Sequence, residues 1–368
     1  MKKKVKQVGT ILAMTGLGAT IGYFGGYLIE KNAFSGFDMV IFSLALVVSF
    51  IFHIIIHEAG HGIFGKLTGY KMVSYRIFSF MWVWQNDGSI VFRRLKVPGT
   101  LGQCLMAPPL YEKGKFPFRL YLLGGVLANL ITSIIAIILF VPHSLIAATF
   151  VIVGLFMAVT NAYPFGFNDG MSLKVASSSE EQQYLLYIQF EVNYLLNQGM
   201  TYLELPNTYF EIVPSESSQT YFNEYQHFLQ IARSAEAFDW QRLNDHVESL
   251  WKRLDDLISV YQIEVKKELI FSLAITNPDD PRLSQLWSDK KVKMSLKQPL
   301  MGNKRIEAAY NYFVQKDTQA ALDCLEIGRT LVDKAPNLGD AKVELKLNTW
   351  LYEKIFINNN RYFYKKSD

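Results

Sequence analysis

The chain has 368 residues, half of them apolar, and a net charge of +4, too modest a surplus to argue for nucleic acid as a partner. Its charge is unevenly spread. Glu30, Asp38, Glu58, Asp87, Glu112 and Asp169 are the only acidic groups in residues 1–170, out of 33 in all, which excludes a uniformly soluble protein.

Taken in order, Lys2-Lys3-Lys4 precedes an apolar run from Val8 to Ile29. The run is longer than a secretory signal core and has no clear cleavage site, so a retained spanning helix is expected. Gly18, Gly22 and Gly26 would give it a flat packing face. Further spans are expected at 39–63, 119–141 and 144–165. Between the second and third lies a cationic loop with Lys71, Arg76, Arg93, Arg94, Lys96, Lys113 and Lys115. The loop 30–38 holds only Lys31, and the turn at 141–144 holds no cation. The positive-inside rule then assigns the N-terminus, the long loop and the C-terminal half to the cytoplasm of a multi-pass cell-membrane protein. Cys104 and Cys324 are expected to be free thiols on that side.

Inside the loop, two β-prone runs, 72–84 and 89–97, flank Gln85-Asn86-Asp87-Gly88, which predicts a hairpin. A polar linker is expected at 171–178. Helical periodicity follows near 179–199, 218–236, 239–258, 261–275, 303–316, 318–333 and 336–356. The stretch 308–322 resembles a tetratricopeptide-type helical hairpin, and 235–240 hints at a second. His227 and His246 read as ordinary solvated side chains. The expected fold is mainly α. Residues 1–37 form an N-terminal spanning helix and outer loop, 38–172 a polytopic core with a β-hairpin loop, and 173–368 a cytoplasmic, soluble α-helical domain of tetratricopeptide-like character.

The chemistry concentrates in His57-Glu58-Ala59-Gly60-His61, at the end of the second apolar run. On a helix, residues i and i+4 share a face, so His57 and His61 can grip one metal ion, with Glu58 placed to take a proton from water. A carboxylate at such depth is costly and calls for a function. Zn²⁺ needs a third protein ligand. His143 falls on the far side of the bilayer, His53 lies on the same helix as the pair, and Asp87 and Glu112 lie in the loop. Asp169, in Asn168-Asp169-Gly170 after the fourth span, is at the right depth and is the expected ligand.

These residues resemble the site-2 protease family of intramembrane zinc metalloproteases, sporulation-factor processing members included. The family's H-E-x-x-H is matched by His57-Glu58-x-x-His61, its Asp-Gly by Asp169-Gly170, and its Asn-x-x-Pro by Asn161-Ala162-Tyr163-Pro164. Gly124-Gly125 and Asn129 match a further element, and the likeness covers roughly 39–172. Asn168 departs from the family's usual Leu, and Ala162 from the Pro of some members. The resemblance implies a zinc endopeptidase that cleaves a membrane-embedded protein or a small membrane-associated peptide within the lipid bilayer. It gives Asn129 a part in holding substrate or the developing oxyanion; interhelical hydrogen bonding is the alternative for that residue. Residues 173–368 would recruit a cytoplasmic protein partner. A catalytically silent scaffold acting through those helices, and a hydrolase of lipid or prenyl substrates, are the competing expectations.

Overall fold

The computed structural model describes residues 35–85, 87–95, 97, 100–139, 144–213 and 220–365. The expected helix at 8–29, with its three glycines, and His143 lie outside the described residues. Thirteen α-helices and one small antiparallel sheet make up the described fold. Three of the helices are long and apolar enough to cross a membrane: α1 (Gly36–Leu67), α2 (Phe118–Leu139) and α3 (Leu145–Ala162). Large apolar side chains on α1, among them Val40, Leu44, Val47 and Phe52, are more than half exposed, as a surface facing lipid requires.

Local chemistry sets the ends of α1. Ser35 and Asp38 bond reciprocally, Asp38 Oδ2 accepting from Ser35 N at 2.9 Å and Ser35 Oγ accepting from Asp38 N at 3.2 Å, a capping box. At the other end Gly69 takes φ +89° while Tyr70 N donates to Gly65 O, the left-handed turn that closes a helix.

The loop after α1 holds four strands, β1 (Lys71–Ile77), β2 (Phe80–Trp84), β3 (Ile90–Arg94) and β4 (Gly102–Ala107), in the order β3-β2-β1-β4. The single hairpin expected from the sequence is therefore one part of a larger sheet. The first β-prone run is broken by Phe78 at φ +53°, so 72–84 supplies two strands, and β4, outside both expected runs, lacks the aromatic and β-branched signal. Across the sheet, Arg93, Met81, Arg76 and Gln103 stand in one register row.

By internal packing the chain divides into two compact units, one of residues up to Ile56 together with Val126–Thr160, the other of His57–Gly125 and Asn161 onward. In the first, His53 is fully buried, with Nδ1 3.0 Å from Asn129 Oδ1 and Nε2 2.9 Å from the carbonyl of Phe150. A Cβ on Gly154 would overlap the His53 ring (2.6 Å from Nε2), so only glycine lets α3 close over it. The polar knot ties all three apolar helices, where no water competes for these groups.

The second unit holds the sheet and the polar half of the chain. Residues 171–178, expected as a linker, are mostly helical: α4 (Asp169–Ala176) starts at Asn168, whose side chain accepts from Met171 N at 2.9 Å. Then follow α5 (Glu180–Asn197), α6 (Tyr221–Glu236), α7 (Trp240–Trp251), α8 (Ser259–Thr276), α9 (Arg282–Ser288), α10 (Lys290–Leu296), α11 (Met301–Ala309), α12 (Thr318–Arg329) and α13 (Leu338–Lys365). The sequence reading missed α9 and α10, each two turns long and too short to show a period. Leu185, Leu186, Ile188 and Val192 of α5 are buried in one cluster with Tyr70, Phe116 and Tyr121. A second cluster lies within α6–α13, where Trp287 stacks on Tyr310 at 3.8 Å. Two connections share one solution: Phe238 (φ +57°) precedes the α7 cap Asp239, and Lys316 (φ +58°) precedes the α12 cap Asp317.

His227 on α6 is not solvated as expected. Burial first, then the charge of Arg253, pulls its pKa down to about 4. The unfolded chain, with histidine near 6.5, then binds the proton more tightly, so this contribution to stability is lost as pH falls from about 6.5 toward 4. The thermal midpoint of the purified chain should drop across that window, and His227→Gln should flatten the drop. An unchanged slope would place the acid sensitivity elsewhere.

Candidate metal centre

His57 and His61 both lie on the last turns of α1, with ring planes 80° apart and centroids 4.8 Å apart. Their Nε2 atoms are 3.2 Å apart. Asp169 Oδ2 reaches the same point, 3.0 Å from His57 Nε2 and 3.4 Å from His61 Nε2. These three side chains form a group whose ligand atoms all lie within 4.8 Å of one another.

The donor chemistry of that point is informative. His61 Nδ1 lies 2.8 Å from the carbonyl of Tyr121, which can only accept, so Nδ1 carries the proton. Nε2 is then the nitrogen left to face another imidazole nitrogen and a carboxylate oxygen. Burial works against the charge on Asp169, but the two histidines outweigh it and hold the carboxyl ionised, well below the usual range. Three such atoms this close could hold a cation between them, and a backbone acceptor behind a ligating histidine is the usual means of fixing its tautomer.

Glycine makes the convergence sterically feasible. On α2, a Cβ at Gly124 would come 2.7 Å from Gly60 O, and one at Gly125 would come 2.5 Å from His57 Nε2. On the third segment, a Cβ at Gly170 would come 2.9 Å from Asn161 O, so Gly170 lets α4 fold back against the chain leaving α3. Asn168 holds that turn, accepting from Phe165 N at 3.3 Å and donating to Tyr163 O at 2.7 Å. Asp169 is thus placed by the first turn of a new helix, not by the end of the spanning one.

Glu58 packs against β4, where a Cβ on Gly102 would sit 2.5 Å from Oε1. Behind Gly102 stands Arg76 of β1, wholly buried, its guanidinium donating to the carbonyls of Phe78 (2.5 Å), Gly102 (3.3 Å) and Thr100 (3.4 Å). Burial pushes its pKa down and the negative charge of Glu58 opposes that shift. Sequence reading counted Arg76 only as a loop cation; nothing in its spacing marks it as buried. Cys104 on the same strand is kept a thiol, since burial pushes it up to about 12. Asn129 belongs to the other unit and there bonds His53, the interhelical arrangement weighed as its alternative.

No protein-family model matches the chain, and no curated protein or solved structure does so either.

Mass spectrometry of the purified chain should find about one divalent ion per molecule, the stoichiometry of a three-ligand site. His61→Ala, Asp169→Asn and the crowding variant Gly125→Val should each lose it, and retention in all three would refute the site. Gly102→Val should keep the ion while displacing Glu58; loss of metal there would show that β4 supports the ligands instead.

Proposed function

We propose that the chain is an intramembrane zinc endopeptidase of the site-2 protease type. The observation that carries this reading is the meeting of His57, His61 and Asp169 at one point, beside Glu58, on helices apolar enough to span a bilayer. Two imidazoles and one carboxylate suit Zn²⁺ and leave a coordination position open. When bound, the ion supplies the positive charge that acidifies water and polarises a peptide carbonyl.

The remaining steps belong to the chain. Glu58 takes a proton from the attacking water and returns it to the leaving nitrogen. Gly102 and the β4 backbone fix where that carboxylate stands, and Arg76 holds the Gly102 carbonyl in place. Tyr121 O keeps His61 in the tautomer that ligates. His53 and Asn129 hold the apolar helices together, and Asn129 carries no proton in this scheme. Substrate is a membrane-embedded protein or peptide. The cationic loop and the polar C-terminal half lie on the cytoplasmic side, in keeping with the distribution of Lys and Arg.

The test is reconstitution in liposomes with zinc and a set of transmembrane peptides. Glu58→Gln should retain metal and lose about 10²–10⁴ in rate, the usual worth of a general acid–base group. Equal peptide profiles for wild type and Glu58→Gln would favour the scaffold reading, and turnover of lipid alone would favour the lipid hydrolase.

A further inference from the structure

Within the second unit, α4 is only two turns long, and Asp169 stands in its first turn. A helix that short has little stability of its own, so its neighbours set where that turn points. Gly170 and the Asn168 turn secure it from the side of the chain leaving α3. Ser172 follows Asp169 at i+3, which puts the two side chains on one face of the helix. There the serine meets a group from the polar half of the chain.

Ser172 Oγ lies 3.2 Å from the carbonyl of Asn168 and 2.8 Å from the hydroxyl of Tyr221 on α6. A serine has one hydroxyl proton to give, and a carbonyl can only accept. Ser172 therefore donates to Asn168 O, and Tyr221 donates to Ser172 Oγ. A chain of hydrogen bonds thus runs from α6 to the cap residue that precedes Asp169. Its far end is well anchored. Thr220 caps α6, its side chain accepting from Phe222 N at 3.2 Å. Thr220 Oγ1 donates to Gln182 Oε1 at 2.7 Å, and Gln182 Nε2 donates to Asn223 Oδ1 at 3.0 Å. Gln182 and Asn223 are both buried, so water does not compete for these bonds. The Tyr221 ring packs edge to face on Phe222, with centroids 4.6 Å apart. Tyr221 is therefore presented to Ser172 from a fixed base shared by α5 and α6.

We propose that Tyr221 is a positioning residue for Asp169: acting through Ser172, its hydroxyl fixes the turn that carries the carboxylate and so sets the affinity of the centre for metal. It touches neither the ion nor the substrate. The inference rests on the metal-centre reading and is independent of proteolysis. Its consequence is that the polar helices complete the site. Without the Tyr221 hydroxyl, the turn bearing Asp169 is held from the α3 side alone. Groups that orient a metal ligand are worth about 10–100-fold in affinity, and one acting a step further out belongs at the lower end of that range.

Zn²⁺ affinity is measured on the full-length chain in detergent, by competition with a chromophoric chelator. The Co²⁺-loaded chain is followed by its visible spectrum, which reports ligand geometry. Tyr221→Phe should weaken Zn²⁺ about tenfold and alter the Co²⁺ bands. Ser172→Ala should do the same, and the double variant should lose no more than either single one, because both changes break one hydrogen-bond chain. Val247→Ala, a core truncation on α7, should lower the thermal midpoint while leaving Zn²⁺ affinity within about twofold, which separates positioning from loss of stability. Wild-type affinity and an unchanged Co²⁺ spectrum in Tyr221→Phe overturn this inference alone. So do additive losses in the double variant, or a loss in Val247→Ala as large as that in Tyr221→Phe. A wild-type chain that binds no metal overturns the inference together with the metal-centre reading it rests on.

Discussion

Everything at the candidate metal centre depends on how closely three backbone segments approach. Two imidazole nitrogens and a carboxylate oxygen stand within 3.4 Å of one another, a distance at which a shared proton or a metal ion must lie between them. Side chains cannot make that approach on their own. Gly124 and Gly125 bring α2 against the histidine turn, and Gly170 turns α4 back so that Asp169 arrives from the other direction. Replacing any of these hydrogens with a methyl group would place carbon inside an occupied van der Waals radius.

A second layer orients the groups that the glycines bring together. Tyr121 O decides which nitrogen of His61 carries its proton, and the β4 backbone decides where the Glu58 carboxylate can stand. Arg76 secures that backbone through the Gly102 carbonyl. A buried guanidinium held mainly by carbonyls is expensive, and its cost is offset only if every strand around it keeps register. The sheet is therefore the support under the proposed base, and its outer strand bonds the chain before α13 through Arg93.

His57, Glu58 and His61 were legible in the sequence because helical spacing converts i and i+4 into one face without tertiary help. The three described spans were legible because hydropathy is a local sum, and their ends fell within a few residues of expectation. Asp169 was reached by topology and depth. The sheet was read only in part: Phe78 adopts positive φ with no glycine to announce it, and β4 reads as an undistinguished loop. Residues 171–178 were missed as helix because Asn168 caps them while sitting in a stretch that reads as a turn. Arg76 and Arg305 look like ordinary surface cations, since burial of a charge depends on partners far away along the chain.

By itself, then, the sequence determined which segments prefer an apolar surrounding and which pair of histidines shares a helical face. Both follow from forces acting over a few residues. Tertiary structure alone decided that Asp169 meets that pair and that β4 lies under Glu58. Each of these depends on where distant backbones come to rest, and that is set by the packing of whole helices and strands, not by any property of the residue itself.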